Sequence, residues 1–392
     1  VGLKNVMSAK EIERRAGSRF RKQVKKRKSC LVQLFLLQKI RENGGKRTMK
    51  IEKIHLDDVK RCYCASNINM NNENHILFAS EDPDVICEMF SGKNFDKKEV
   101  VWTKPGGCMS IIPIPGKEGE FLAVQEFYLK VSPSLAKIVW GKYDAEKGWI
   151  VKDVLSMPYI HRFDIYHADG VNYFIGATIA TTKQDKNDWS VPGRIYTGIL
   201  PEDPSQGIEL SILADGLYRN HGYWHAKEDG KDVGYFGSDQ GILRVTPPYE
   251  KGGEWTKEFI MEGQIGEIAT IDIDNDGEDE IMTIEAFHGD TIKIYKKIDG
   301  AYKEVYKYDN KIDFAHTLVG AKLAGVNTFL AGVRREEAEI FYVQYVDGKF
   351  VTTVIEKGAG PANLCVVNED DRDLIVAANH TKNEAAVYVV TK

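Results

Sequence analysis

Residues 268–285 read IATIDIDNDGEDEIMTIE. Two short apolar segments, 268–273 and 280–285, lie on either side of an acidic turn that contains a glycine. Short alternating or apolar segments separated by turn residues are typical of paired β-strands rather than of a helix. The stretch therefore predicts a β-hairpin, and the recurrence of this unit along the chain decides the fold.

The same pair of segments recurs seven times after residue 48. The first strands begin near residues 62, 108, 162, 222, 267, 317 and 362, so one unit spans about 45 to 60 residues. No segment after residue 48 has a convincing helical pattern over ten residues or more. Seven such units predict an all-β fold, a seven-bladed β-propeller of four-stranded blades over residues 49–392. A chain of two β-sandwiches is the alternative, but it would not explain the near-even spacing.

The seventh unit has room for only three strands before residue 392. Residues 50–56, KIEKIHL, alternate in the manner of a β-strand and could supply the missing outer strand. Pairing of the two ends would close the ring and remove an exposed sheet edge. We therefore expect a propeller that is closed by an N-terminal strand.

Residues 1–48 are strongly basic, with 15 Lys or Arg and 3 Asp or Glu, whereas the whole chain has a net charge of −5. Such a basic arm often binds nucleic acid or an acidic membrane. Residues 43–49, NGGKRTM, can instead be encoded by a purine-rich ribosome-binding sequence followed by a start codon. We expect Met49 to be the native start, residues 1–48 to lie outside the fold, and neither nucleic acid nor a membrane to be a partner. A disordered basic tail is the alternative.

The composition, 43% hydrophobic and 28% charged, is typical of a globular protein. The longest apolar segment, residues 30–37, is far shorter than the roughly 18 to 20 residues that a membrane-spanning helix needs. The six cysteines have neither the number nor the spacing of a disulfide framework or a zinc knuckle. We therefore expect a cytoplasmic protein with free thiols.

The turn of blade five carries a candidate calcium site. Asp272, Asp274, Asp276 and Glu280 occupy positions 1, 3, 5 and 9 of the turn, with Gly277 at position 6. Alternating carboxylates in a tight loop converge on one point, and a hard cation prefers such oxygen ligands. We predict a structural Ca²⁺ ion here, and an acidic turn without a metal is the alternative.

This turn resembles that of the FG-GAP or VCBS repeat family, whose propeller blades carry a calcium loop between the first and second strands. The other units have degenerate versions at the same place, such as residues 169–170, 228–230 and 369–371. The resemblance implies that the loop stabilises one blade and has no catalytic role.

Three histidines share one repeat position. His161, His221 and His316 come just before the first strands of units three, four and six, where the inner strands of a propeller line its central funnel. Neutral imidazoles suit Zn²⁺ or another divalent transition metal, which can polarise a carbonyl group. We therefore predict a transition-metal site in the funnel. The alternative is that each histidine only hydrogen-bonds a neighbouring blade.

Other residues near these positions could complete the site. The longest insertion, residues 180–194, places Trp189 in a polar loop that could cover the funnel. Proton transfer next to the metal is expected from one of three candidates: His167, His225 or Glu285. Ligand binding is expected from side chains with aromatic, cationic or imidazole groups: Tyr223, Trp224, His288, Arg334 and His380.

Residues 220–225, NHGYWH, and the acidic turn resemble the propeller part of the aldos-2-ulose dehydratases, although the chain has no room for the additional β-domains of that family. The resemblance implies metal-dependent lyase or isomerase chemistry on a keto-sugar. We therefore hypothesise a carbohydrate-processing enzyme, a dehydratase or an isomerase acting next to the carbonyl of a small sugar. The alternative is a non-catalytic propeller that binds a glycan or a protein partner at its rim.

Overall fold

The computed structural model describes residues 49–128, 132–250 and 253–392. Residues 1–48, which we expect to lie outside the fold, are not among them. The described residues form 28 β-strands and two short 3-10 helices, Pro133–Leu135 and Pro204–Gln206. None of the helices in these ranges is long and apolar enough to cross a membrane.

The strands of the first half of the chain are β1 (Lys50–Asp58), β2 (Cys62–Met70), β3 (Glu73–Ser80), β4 (Cys87–Ser91), β5 (Lys97–Trp102), β6 (Ile111–Pro113), β7 (Glu120–Gln125), β8 (Lys137–Asp144), β9 (Gly148–Ser156), β10 (Ile160–Ala168), β11 (Val171–Thr178), β12 (Gly193–Ile199) and β13 (Ser211–Leu217). Those of the second half are β14 (Gly222–Glu228), β15 (Lys231–Ser238), β16 (Gly241–Thr246), β17 (Thr256–Glu262), β18 (Glu267–Ile271), β19 (Glu280–Glu285), β20 (Thr291–Ile298), β21 (Ala301–Lys307), β22 (Asp313–Leu323), β23 (Val326–Arg335), β24 (Ile340–Val346), β25 (Lys349–Glu356), β26 (Asn363–Asn368), β27 (Asp373–Asn379) and β28 (Glu384–Thr391).

These strands form seven antiparallel, four-stranded sheets, six of them from consecutive strands beginning with β2. The seventh has the order β1-β28-β27-β26, so the N-terminal strand is its outer edge and Lys50 lies opposite Thr391. The inner strands β2, β6, β10, β14, β18, β22 and β26 contact one another in turn around a ring, and β26 contacts β2. The prediction of an all-β, seven-bladed propeller with four-stranded blades is confirmed.

The apolar core lies between neighbouring blades. Between blades five and six, for example, Phe329 and Phe341 are fully buried, and Tyr308 stacks on Phe341 with the ring centroids 4.0 Å apart. Truncation of such a buried phenylalanine to alanine costs about 3–5 kcal/mol. Because this packing supports each sheet, side chains at the strand ends are available for other roles.

The two ends of the propeller differ in what they carry. First and second strands are antiparallel, so the turns that join them lie at one end, while first strands begin and second strands finish at the other. The acidic turn between β18 and β19 belongs to the first end. We call the second end the funnel rim, and it carries the starts of β10, β14 and β22.

Candidate functional site

A cavity of about 370 Å³ lies at the funnel rim. Its walls come from the starts of first strands, the residues that follow second strands, and the loop between β11 and β12. Four histidines line it: His161, His221, His288 and His316. The ring arrangement therefore gathers imidazoles from blades three, four, five and six at one place.

Three of these imidazoles form a candidate metal centre, which we call the histidine cluster: His221, His288 and His316. One nitrogen from each lies within 4.8 Å of the nitrogens of the other two. The Nε2 atoms of His221 and His288 are 3.3 Å apart. His221 precedes β14, His288 follows β19 and His316 lies in β22, so three blades each supply one side chain. A single cation could contact all three.

Backbone carbonyls determine the tautomer of two members of the cluster. Nδ1 of His221 lies 3.0 Å from the carbonyl oxygen of Gly266, and Nδ1 of His316 lies 2.7 Å from that of Ala362. Because a carbonyl oxygen can only accept, both Nδ1 atoms carry the proton and both Nε2 atoms carry a lone pair. The backbone at Gly266 lies so close to that of Ala286 that a Cβ on Gly266 would be 2.4 Å from the carbonyl oxygen of Ala286. This arrangement is typical of histidines that bind a metal through Nε2.

Tyr63 links the fourth histidine to the cluster. Its hydroxyl oxygen lies 3.2 Å from Nε2 of His161 and 3.2 Å from Nε2 of His316. Nδ1 of His161 is buried and has no hydrogen-bond partner among the described residues. Burial raises the pKa of Tyr63 well above its ordinary value, so the hydroxyl keeps its proton at neutral pH. Tyr63 can therefore donate a hydrogen bond next to the cluster.

All four imidazoles in the cavity are neutral at physiological pH. Burial, reinforced by the positive charge of Arg162, lowers the pKa of His221 to about 3. Burial also lowers the pKa values of His161, His288 and His316 well below 6.5. A metal binds to the neutral form of imidazole, so protons compete little with a cation at this site.

A chain of hydrogen bonds lies beside the cluster. Nη2 of Arg334 donates to Nδ1 of His380 at 2.7 Å, and Nε2 of His380 donates to Oε1 of Glu81 at 2.6 Å. Arg61 forms an ion pair with the same Glu81 oxygen. Burial alone would raise the pKa of Glu81, but His380 and Arg61 lower it to about 2. Glu81 is therefore ionised, and its charge is shared between two neighbours.

Aromatic rings form much of the remaining wall. Trp189, from the loop between β11 and β12, lies 4.8 Å from Phe287 between ring centroids. Phe314 stacks on the imidazole of His288 at 4.2 Å. Flat apolar faces next to polar groups suit the rings of sugars as well as other planar or half-apolar ligands. Trp189 lines the cavity, which is where the insertion was expected to place it.

The structure brings together the histidines that share a repeat position. His161, His221 and His316 line the same cavity, but the tightest group of three contains His288 in place of His161. From the sequence, His288 is expected to bind the ligand rather than the metal, because it lies outside the shared repeat position, in the loop after β19. Of two other predicted ligand-binding residues, Arg334 lines the same cavity and His380 lines a neighbouring cavity that shares Arg334 with it.

Five predicted site residues lie away from this cavity: Tyr223, Trp224, His225, His167 and Glu285. The first three line the channel between the inner strands. A strand rises about 3.3 Å per residue, so His225 lies roughly 13 Å along the chain from His221. His167 is exposed beside Asn172, and Glu285 forms an ion pair with Lys293 at 3.0 Å. Their expected roles at a funnel metal stay predictions, and their placement gives them no contact with the histidine cluster.

His225 differs in charge from the histidines at the rim. Its Nδ1 lies 3.0 Å from Oδ2 of Asp164, and its Nε2 lies 3.0 Å from Oδ1 of Asp232. Burial opposes the charged imidazole, but the two carboxylates outweigh burial and raise the pKa of His225 to about 10. His225 is therefore a cation that holds blades three and four together.

The acidic turn gathers its carboxylates as expected but also contains a lysine. Asp272, Asp274 and Asp276 lie close enough to share one cation. Nζ of Lys296, on β20, lies 2.5 Å from Asp274, 2.6 Å from Asp276 and 2.9 Å from Glu280. Both carboxylate oxygens of Asp272 accept N–H groups of the turn. Calcium binding here stays a prediction, and Lys296 would compete with the ion.

Several residues of the cavity are not among those predicted from the sequence. Arg61 occupies in blade one the repeat position that holds His161, His221 and His316 in other blades, so an alignment of all seven units would have found it. Tyr63 lies two residues further along β2. Phe287 and Phe314 had no comparable signal, because a phenylalanine near a strand end is indistinguishable from a core residue in the sequence.

The comparisons with known proteins support the fold and go no further. No family model matches the chain, and no curated protein matches it. Solved structures do match; one is the crystal structure of Saccharomyces cerevisiae Sqt1, with a TM-score of 0.53 and 10% sequence identity over 87% of this chain and 98% of that one. An identity this low shows a shared architecture and says nothing about a shared activity.

Proposed function

We propose that the protein is a metal-dependent carbohydrate-processing enzyme, a lyase or isomerase that acts next to a sugar carbonyl in the funnel cavity. The observation that carries this proposal is the histidine cluster. The lone pairs of His221 and His316 are on Nε2, at the wall of the cavity, and Nε2 of His288 lies beside that of His221. Because the imidazoles are neutral, they need no counter-ion. The resemblance to the aldos-2-ulose dehydratases supplies the reaction class.

The donor set fits a divalent transition metal. Three nitrogen ligands suit Zn²⁺ and its neighbours, whereas Ca²⁺ and Mg²⁺ prefer oxygen. A site with three protein ligands also leaves room for a substrate oxygen. When bound, the cation would supply a Lewis acid that polarises the sugar carbonyl and so acidifies the neighbouring C–H bond.

Side chains of the cavity would move the protons. In a dehydration, one C–H bond and one C–O bond break and a C=C bond forms, so one proton must be accepted and one donated. The neutral imidazole of His161 would take the proton from carbon, and the Tyr63 hydroxyl would protonate the departing hydroxide to give water. The 3.2 Å contact between Tyr63 and Nε2 of His161 would then return the proton to Tyr63.

Other expectations belong with this proposal. Trp189 and Phe287 would bind the apolar face of the sugar, and the calcium ion expected at the acidic turn would stabilise blade five. The FG-GAP or VCBS resemblance would account for that turn. A reducing cytoplasm is the expected location, since the five cysteines in the described part of the chain are free thiols.

Metal content and turnover test the proposal together. We expect protein purified without chelators to hold about one transition-metal ion per chain and to convert a keto-sugar into an unsaturated ketone that absorbs in the ultraviolet. Tyr63→Phe should keep the metal and lower turnover by about 10²- to 10⁴-fold, the range of a lost general acid. Tyr128→Phe, which removes a hydroxyl from the same cavity wall, is the matched control and should keep turnover.

Absence of bound transition metal in the wild type would overturn the enzyme hypothesis. Retained binding of a neutral glycan in that case would favour a non-catalytic, glycan-binding propeller, for which the aromatic wall would suffice.

A further inference from the structure

Cations outnumber carboxylates around the funnel cavity. Arg61, Arg334, Arg335 and Lys186 line it, and Glu81 is the single acidic residue in its described lining. A second cavity of about 480 Å³ shares Arg61, Arg334 and Arg335 with the first, and none of its described lining residues is acidic. The histidines add no charge because they are neutral. Arg61 pairs with Glu81 and Arg335 with Asp313, whereas Arg334 and Lys186 form no ion pair among the described residues. The local field therefore attracts an anion.

Arg334 has no carboxylate partner of its own. Among the described residues, no carboxylate oxygen lies within 4.0 Å of its guanidinium. Its one side-chain hydrogen-bond partner is the neutral imidazole of His380, which in turn donates to Glu81. Arg61 already forms an ion pair with Glu81. Glu81 therefore cannot fully compensate Arg334, and further N–H donors of that guanidinium remain for a ligand.

Burial of the charged Arg334 guanidinium costs free energy unless an anion binds beside it. Burial of the Arg334 guanidinium disfavours its charged form and so lowers its pKa. Arginine nevertheless stays protonated in proteins. Its charge is therefore neutralised by an anionic partner and not by loss of the proton. A carboxylate or phosphate that binds to the fork of the side chain would supply two charge-assisted hydrogen bonds.

Phe314 places the arginines next to the histidine cluster. The guanidinium carbons of Arg334 and Arg335 lie 5.0 Å and 4.4 Å from the centroid of its ring. The same ring stacks on His288 at 4.2 Å. One aromatic ring therefore separates the basic side chains from the candidate metal centre. A single sugar is long enough to contact both.

From these contacts we infer that the carbohydrate is anionic: its carboxylate or phosphate binds Arg334, with Arg335 and Arg61 nearby, while its carbonyl faces the histidine cluster. The position of the carbonyl rests on the proposed function, whereas the anion site depends only on the arginines. A neutral sugar would provide no anionic partner for Arg334 and would bind more weakly.

Calorimetric titration of the full chain with three matched ketoses tests this inference. Fructose is the neutral probe, fructuronate carries a carboxylate, and fructose 6-phosphate carries a phosphate. We expect at least one anionic ketose to bind at least tenfold more tightly than fructose at low salt, with the advantage shrinking as salt rises. The better of the two anions identifies the group that the site recognises. Equal affinities for all three probes would overturn the inference.

Arg334→Gln should abolish the preference for the anion. Arg372→Gln removes the same charge from a residue that pairs with Glu369 in the turn between β26 and β27, and it should keep the preference. Should Arg334→Gln fail to fold, Arg335→Gln, which alters an exposed residue that pairs with Asp313, should reduce the preference severalfold. A preference unchanged in the folded arginine variant would contradict the proposal.

A zinc titration without sugar separates the two hypotheses. Zinc binding together with equal affinity for all ketoses would reject the anionic substrate and leave the metal site intact. Anion preference without zinc binding would reject the metal-dependent reaction and leave the arginine site intact.

Discussion

The histidine cluster and the acidic turn both gather potential metal ligands, yet they differ in what already neutralises them. In the turn, the ammonium of Lys296 lies within 2.9 Å of three carboxylates, and backbone N–H groups satisfy Asp272. In the cluster, carbonyl oxygens occupy the Nδ1 atoms of His221 and His316, and the neighbours of their Nε2 atoms, His288 and Tyr63, are neutral. A set of ligands that already holds an internal cation binds a metal less readily than a set whose neighbours are all neutral.

The charges around the two regions sharpen the difference. Carboxylates attract any cation, including a lysine of the same chain. The spacing of carboxylates in the sequence therefore cannot show whether they bind a metal ion or a lysine ammonium group. Neutral imidazoles attract cations by their lone pairs and not by charge, and the neighbouring Arg162 and Arg334 disfavour a proton there. The imidazoles of the cluster therefore stay unprotonated, and a metal would have to bind through their lone pairs against the same positive charges.

The largest expected effect is on the cluster itself. His288→Ala removes a ligand from the candidate metal centre, and we expect the affinity for Zn²⁺ to fall by at least about 100-fold, the upper part of the range seen when even a supporting group of a metal site is lost. The measurement is a competition titration with a coloured chelator. His167→Ala, which changes an exposed histidine on β10, is the matched control and should bind zinc normally. An equal loss in both variants would show that zinc does not bind at the histidine cluster.

A second test asks whether Lys296 competes with calcium for the carboxylates of the acidic turn. Lys296→Met removes the internal cation from three carboxylates, and we expect the metal-free variant to lose about 1 kcal/mol of stability, the upper end for a partly exposed ion pair. Calcium at a hundredfold excess over its Kd should then stabilise the variant by about 2.7 kcal/mol, and the wild type by less. Thermal melts with and without Ca²⁺ give both numbers.

Lys303→Met is the control for this lysine, because Lys303 lies on β21 opposite Lys296 and pairs only with Asp299 in the described structure. If calcium stabilised the wild type as much as Lys296→Met, the ammonium would not be a competitor and the turn would be an ordinary calcium site.

A third test uses pH to separate charged from neutral histidines. The folded pKa of His225, about 10, lies above the unfolded value of about 6.5, so its contribution to stability is complete below pH 6.5 and is lost as pH rises toward 10. We expect the advantage of the wild type over His225→Gln to shrink by at most about 1.4 kcal/mol per pH unit in that window. Urea unfolding at pH 6, 7.5 and 9 would show it, and a constant difference would mean that His225 is not charged.

The smallest expected effect is an absence of coupling. Asp276→Asn weakens the contact of the acidic turn with Lys296, but that turn and the funnel rim lie at opposite ends of β18 and β19. Changes at separate sites without shared partners are usually additive. We expect the zinc affinity of the histidine cluster to stay within about twofold of the wild type. A larger change would show that the two regions communicate along blade five.

Parts of the candidate site could be predicted because they repeat. His161, His221 and His316 occupy one position in three units, and residues at equivalent positions of a propeller meet at the same end of the ring. His288 belongs to no repeat position, and its approach to His221 depends on how the chain turns after β19. The same limit applies to Lys296, whose side chain reaches the acidic turn from the next strand.

The sequence by itself determined the number of blades, the strands of each hairpin and the end of the ring at which each turn lies. These features are local, since alternation and turn residues specify a hairpin within about twenty residues. The tertiary structure alone decided which donors are satisfied. Arg334, His380 and Glu81 come from blades six, seven and one, and only ring closure brings the last two, 299 residues apart, into contact. Contacts between distant segments depend on the packing of whole blades, which no local pattern encodes.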